Sequence, residues 1–204
     1  MRSFPRFYPI LDRACFGDAD ELYRAAQQLA GAGATLLQYR NKLETARRVL
    51  EDATELKRCV GNSVKLIMND RADLCLAAGF DGVHLGQDDL TIQAARQVVG
   101  GSLLLGLSTH NPEQAKAADQ TSADYIAIGP VFATVSKANP DPAIGLDGVR
   151  KARALTRKPL VAIGGITRAN CVLVIEAGAD AVAVISDITN EPGKSAEEFL
   201  RLLR

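Results

Sequence analysis

Short apolar runs alternate along this chain with longer stretches in which apolar residues return every three or four positions. The first pattern is that of buried strands, the second that of helices laying one face on a core. Strands are predicted at Phe7–Leu11, Leu36–Arg40, Lys65–Met68, Gly82–Leu85, Leu103–Leu107, Tyr125–Ile128, Leu160–Ile163 and Ala181–Ile185, with helical segments such as Glu44–Cys59, Arg71–Ala78, Pro112–Ala118 and Arg168–Glu176 between them. Runs such as YIAIG, LVAIGG and AVAVIS are apolar at nearly every position, which suits strands covered on both faces in a parallel sheet.

Four signals punctuate this alternation: Gly33-Ala34-Thr35, Gly79-Phe80-Asp81-Gly82, Ser122-Ala123-Asp124 and Gly178-Ala179-Asp180. Each follows an Ala-rich helical stretch and precedes an apolar strand, where a glycine takes a left-handed helix cap at little steric cost. They recur roughly every 45 to 55 residues, about two strand–helix units apart. Four such pairs predict an α/β fold, a single-domain (β/α)8 TIM barrel over residues 1–204, at the compact end of that architecture. An open doubly wound sheet is the alternative.

The stretch LLQYRNK, Leu36 to Lys42, breaks the apolar rule. Alternation puts Leu36, Gln38, Arg40 and, if the strand reaches it, Lys42 on one side. An antiparallel edge strand with one wet face would read the same way. In a barrel, however, that side faces inward and upward to the mouth where barrel enzymes keep their sites. Polar residues collect at the C-terminal ends of the other strands too: Asn69 and Asp70, Gln87 to Asp89, Ser108-Thr109-His110, the loop GPVFATVSK with Thr134, Ser136 and Lys137, Gly164-Gly165-Ile166, and Ile185-Ser186. The opposite ends read as Gly, Ala and turn residues.

Composition narrows the partners. Lys plus Arg equals Asp plus Glu at 24 each, so a polyanion would need a local cluster of charge, and nucleic acid is disfavoured. No apolar run approaches the ~18 residues of a membrane helix, and MRSFPRFYPILD has no secretory h-region. Four dispersed cysteines, Cys15, Cys59, Cys75 and Cys171, form no CxxC pair and fit a reducing, cytoplasmic compartment. The sequence leaves homo-oligomerisation open.

Asp70 and Asp89 lie one strand–helix unit apart, and neighbouring strands are roughly 4.8 Å from each other, so the two carboxylates are able to meet. Magnesium takes one or two carboxylates together with substrate phosphate oxygens and water. The competing role is helix capping by each Asp separately. A diphosphate brings about three negative charges and the aspartates two more; magnesium with Arg40, Lys42 and Lys137 returns a near-neutral site. Gly164-Gly165 and the end of strand eight suggest a second anion site of the kind barrels build there, or simply a tight turn. His84, inside GVHLG, reads as a structural residue; His110 either caps a helix or touches substrate. No Ser-His-Asp triad can be argued from spacing.

The set QYRNK, NDRADLCLAAGFDGVHLGQDDL, LGLSTHNPEQA, ADYIAIGPVFATVSK, VAIGGI and GADAVAVIS resembles the thiamine-phosphate synthases along nearly the whole chain. The resemblance implies a magnesium-dependent transferase that joins hydroxymethylpyrimidine diphosphate to a thiazole phosphate, or its carboxylate, releasing diphosphate by a dissociative route. It implies that Gln38, Tyr39, Arg40, Asn41, Lys42, Asn69, Ser108 and Lys137 bind the pyrimidine diphosphate, with Lys137, Arg40 and Ser108 catalytic. Asp70 and Asp89 would hold Mg2+; Thr134, Val135, Ser136, Gly165, Ile185 and Ser186 would take the thiazole phosphate. Ser136 stands where the family often has Thr, and an N-terminal helix of some relatives is missing. The loop from Phe132 to Ile144 reads as a lid. Two rivals are a thiazole tautomerase-like isomerase, which as a group has His where this chain has Pro130, and a non-catalytic thiamine-phosphate-binding barrel.

Overall fold

In the computed structural model, which describes residues 4–134 and 141–204, eight parallel strands close into a barrel in chain order. They are β1 Phe7–Asp12, β2 Leu36–Arg40, β3 Lys65–Asn69, β4 Gly82–Leu85, β5 Leu104–Thr109, β6 Tyr125–Ile128, β7 Leu160–Ile163 and β8 Ala181–Val184. Each is followed by a helix: α1 Ala19–Gly31, α2 Ala46–Val60, α3 Ala72–Ala78, α4 Ile92–Val99, α5 Pro112–Asp119, α6 Gly145–Leu155, α7 Cys171–Glu176 and α8 Pro192–Leu202. Closure comes from β1, which pairs in parallel with β2 (Ile10 opposite Gln38) and with β8 (Tyr8 opposite Ala183). The open-sheet alternative is thereby excluded. Val135, Ser136 and Lys137, with the rest of 135–140 in the middle of the expected lid, lie outside the described residues.

Alternation along each strand divides the interior in two. Outward residues, among them Phe7, Leu37, Leu66, Val83, Leu105 and Ile126, pack under the apolar faces of the helices in one continuous layer. Phe7 stacks on Phe199 of α8 with ring centroids 4.9 Å apart. Inward residues form a smaller core of Tyr8, Ile10, Leu36, Ile67, Tyr125, Ala127, Val161, Ala181 and Ala183. The barrel is filled by side chains below and becomes polar above, and this gradient opens a cavity at the C-terminal mouth.

The recurring Gly/Asp signals have a physical role at the other end. Gly79 caps α3 in the left-handed region at φ 63°, and its N–H donates to the Cys75 and Leu76 carbonyls. Asp81, Asp124 and Asp180, at the starts of β4, β6 and β8, each accept a backbone N–H from the strand before: Leu66 at 2.9 Å, Leu105 at 2.8 Å and Leu160 at 2.8 Å. These carboxylates satisfy strand-start amides that the sheet leaves without a partner. The lower rim is therefore more polar than the expected mixture of Gly, Ala and turns. This clamp joins β3 to β4, β5 to β6 and β7 to β8, so the Asp of the signal recurs at every second strand.

Candidate active site

A cavity of about 300 Å3 opens at the C-terminal ends of the strands. Gln38, Arg40, Lys42, Asn69, Asp70, Asp89, Ser108, Thr134, Gly165, Ile185 and Ser186 all line it, so the ends of seven strands, β2 to β8, converge as the strand-end polarity implied. Two expected residues do not join them. Tyr39 and Asn41 fall on the odd parity of β2, and their side chains turn away from the cavity. The Tyr39 hydroxyl donates to Asp52 Oδ2 at 2.9 Å under α2, and Asn41 Nδ2 donates to the same hydroxyl at 3.0 Å. Asn41 Oδ1 in turn accepts from the amides of Leu43 and Glu44, closing the turn that carries Lys42. These side chains hold the loop that carries Lys42.

Asp52 itself is fully buried between α1, α2 and β2. It also accepts from the Tyr23 hydroxyl at 2.7 Å and faces Arg48 Nε at 3.2 Å. Asp52→Ala strands the buried Tyr39 hydroxyl and the half-buried Tyr23 hydroxyl, at a cost of about 2 kcal/mol. A urea midpoint within error of the wild type would contradict this account.

Asp70 follows β3 at φ 61°, the sole non-glycine residue with positive φ among the described residues. Its N–H donates to the His84 carbonyl at 2.8 Å, which ties this conformation to β4. Strain of this kind persists where the surroundings over-determine it, characteristically at functional sites. Burial raises the Asp70 pKa, and the neighbouring Asp89 carboxylate raises it further against the opposing Lys42 ammonium. Lys42 Nζ lies 2.9 Å from Asp70 Oδ2. Neither aspartate caps the following helix: α3 has no side-chain cap, and α4 is capped by Thr91. Asp89 Oδ2 instead accepts from the Gly86 amide at 2.7 Å, which orients its carboxylate toward β4.

Two mutually repelling carboxylates in one cavity are the donor chemistry Mg2+ uses when substrate phosphate and water complete its shell. Among the described residues no group of three or more His, Cys, Asp or Glu side chains could hold a metal unaided. The residues present fit an ion that arrives with, and is completed by, a phosphorylated ligand.

Arg40 at the end of β2 is held by an ion pair to Asp12, the last residue of β1 and its register partner. Asp12 is 3% exposed and also accepts from Ala14 N at 3.1 Å. Sequence reading missed it by ending β1 at Leu11; the strand-end rule, applied one residue further, finds it. His84 on β4 has both ring nitrogens engaged, Nδ1 with the Tyr125 hydroxyl at 3.0 Å and Nε2 with Ser108 Oγ at 2.8 Å. Burial pushes its pKa down to about 4, so the ring is neutral at neutral pH. His110 is not the cap of α5, a role taken by Asn111; its Nδ1 lies 3.0 Å from the Gly129 carbonyl and 3.4 Å from Asp141.

On the far side of the mouth, Gly164 and Gly165 have φ of 98° and 63°. A Cβ on Gly165 would run into Phe132 and the Ala133 carbonyl, so glycine is required there by both conformation and space. The Ser186–Ile188 turn after β8 is braced by Arg168, whose amide and guanidinium both bond Asp187. The cavity therefore has a charged half under β2 to β4 and a glycine-and-hydroxyl half under β7 and β8.

Known proteins resemble this chain over most of its length. A family model described as thiamine monophosphate synthase matches residues 7–188. A thiamine-phosphate synthase of Koribacter versatilis (strain Ellin345) is 57% identical over 204 residues, covering 98% of this chain and 97% of its own. One from Chloroflexus aurantiacus is 46% identical over 157 residues, 76% of this chain and 72% of its own. Among solved structures, a thiamine phosphate pyrophosphorylase from Pyrococcus furiosus superposes with a TM-score of 0.86 at 31% identity, covering 97% of this chain and 95% of that one.

Proposed function

The chain belongs to the thiamine monophosphate synthase family and is a transferase of that kind, and from this premise we propose that its mouth joins an aminopyrimidine diphosphate to a thiazole phosphate with the help of Mg2+. The observation that carries the reading is the Asp70–Asp89 pair facing Lys42 and Arg40 in one cavity. Asp70 and Asp89 hold the ion, which when bound offsets negative charge on the diphosphate. Arg40, fixed by Asp12, and Lys42 supply further positive charge at the same leaving group, with Asn69 as a neutral hydrogen-bonding partner and Lys137 from the loop after β6. Such preorganised charge acts most strongly as the carbon–oxygen bond breaks and the diphosphate gains charge.

Gln38 and Ser108 face the pyrimidine. Gly165, Ser186, Ile185, Thr134, Val135 and Ser136 receive the thiazole phosphate, whose ring nitrogen then captures the electron-poor pyrimidine carbon. No protein nucleophile is needed, and His84 is not available as one because both its nitrogens are engaged. Holding both substrates in a cavity of this size supplies proximity and keeps water from the reactive carbon. Pro130, not an imidazole, stands in the cavity wall after β6, which gives the isomerase rival no proton carrier at that place. The four free cysteines support a cytoplasmic setting, and among the described residues no helix is long and apolar enough to cross a membrane.

The test is a coupling assay with both substrates that reads thiamine phosphate directly. Product forms with Mg2+ and falls at least 100-fold with excess chelator, recovering on readdition. Full activity in chelator removes the metal from the proposal; no product under any condition removes the function.

A further inference from the structure

Five side chains form one unbroken hydrogen-bonded chain across the barrel interior. Gln38 Nε2 donates to the Tyr8 hydroxyl at 2.9 Å; the Tyr8 and Tyr125 hydroxyls are 2.9 Å apart; the Tyr125 hydroxyl is 3.0 Å from His84 Nδ1; and His84 Nε2 is 2.8 Å from Ser108 Oγ. All but Ser108 are buried. Gln38, His84 and Ser108 line the cavity, whereas Tyr8 and Tyr125 lie beneath it among apolar neighbours. The chain starts and ends at the cavity, on β2 and on β5.

The Gln38 amide, with Nε2 turned to Tyr8, sets its direction. An amide N–H only donates, so the Tyr8 oxygen accepts, and the proton of Tyr8 has Tyr125 as its acceptor. The Tyr125 proton then goes to His84 Nδ1, which leaves the imidazole hydrogen on Nε2 to be donated to Ser108. The hydroxyl proton of Ser108 is thereby released toward the cavity, while Gln38, having turned its N–H inward, offers its carbonyl oxygen. Running any middle bond backwards would leave a buried hydroxyl without an acceptor, which a dry interior strongly disfavours. The two ends therefore cannot choose their polarity independently.

We propose that His84, with Tyr125 and Tyr8, is a positioning group that sets the substrate's pyrimidine specificity: held as the Nε2–H tautomer, it makes Ser108 a donor while Gln38 is an acceptor. An edge carrying an exocyclic amino group beside an unprotonated ring nitrogen matches this pair, donor to acceptor and acceptor to donor. A 4-oxo pyrimidine, with a carbonyl beside a ring N–H, presents the reverse and meets like with like at both ends. This discrimination is of the strong kind, because a mismatched analogue leaves buried polar groups unpaired. The inference rests on the proposed function for the identity of the pyrimidine substrate, but the tautomer does not.

Two measurements test it. In the ligand-free wild-type enzyme, 15N NMR of labelled histidine should show His84 as the Nε2–H tautomer; an Nδ1–H form or a mixture overturns the proposal whatever the variants do. In kinetics, the kcat/KM ratio for the amino over the 4-oxo pyrimidine diphosphate should be at least 100 in the wild type. It should fall at least tenfold in both Tyr125→Phe and Tyr8→Phe, although Tyr8 touches neither His84 nor Ser108. Variants that lose rate on both substrates equally, with the ratio unchanged, would show merely structural tyrosines and refute the chain. A wild type inactive on both substrates would fail the proposed function instead, and leave the tautomer result to decide the inference.

Discussion

Asp70→Asn lowers magnesium-dependent turnover on the order of 10^3-fold, equivalent to about 4 kcal/mol of transition-state stabilisation, while the barrel stays folded. The separation of the two effects follows from the local physics. Asn tolerates the left-handed backbone region nearly as well as Asp, so the positive φ of 61° at this position remains accessible. Burial and Asp89 already disfavour the ionised Asp70, and a neutral amide relieves that repulsion, so thermal stability is unchanged or slightly raised. Function loses on two counts: one of two carboxylates for the ion is gone, and Lys42, 2.9 Å away, loses the anion that aims it. Asp70→Ala repeats the catalytic loss but adds backbone strain, since Ala has no side-chain compensation for positive φ. Turnover of the Asn variant within threefold of wild type at saturating substrates and Mg2+ would end the metal assignment.

The strands and their order were readable because parallel strands buried on both faces leave unbroken apolar runs, and because glycine and aspartate mark the turns where only certain chemistry fits. Polarity at the strand ends likewise pointed to the cavity, since Gln38, Asp70, Asp89 and Ser108 interrupt apolar strands and their exits, and all four line it. Tyr39 and Asn41 show that a contiguous motif mixes two faces: the period of two that puts Gln38 and Arg40 inside puts these two outside, Tyr39 on Asp52 and Asn41 on the Tyr39 hydroxyl. Tyr8, Tyr125 and His84 were harder for a different reason. An inward tyrosine in an apolar strand has the same pattern as an ordinary core residue, and the partner of its hydroxyl lies 117 residues away in the sequence. Long-range hydrogen-bond pairing leaves no periodic trace, so only the folded barrel reveals that the floor of the cavity is polar and connected.

Gly106→Ala destabilises the protein by about 3 kcal/mol or more, the upper end of what overpacking costs. The cause is space, because the Gly106 backbone needs no positive φ. A Cβ there would overlap the Tyr125 ring and hydroxyl and His84 Nδ1, the two groups that meet across β5. Neither can retreat cheaply. Tyr125 is packed against Phe4, with ring centroids 4.9 Å apart, and bonded to Tyr8 at 2.9 Å. His84 is anchored through Ser108, and β4 and β6 are both in register with β5 at Gly106. Relief by moving a ring breaks a buried hydrogen bond; relief by moving the strand breaks the barrel ladder. Gly31→Ala, at the last residue of α1 where a Cβ meets nothing within 4 Å, is the matched control and should be neutral or stabilising by up to about 1 kcal/mol. Chemical denaturation of the two variants side by side decides the matter: equal midpoints would mean that the barrel interior has room at β5, and that the contact between Tyr125 and His84 is looser than the packing around Gly106 requires.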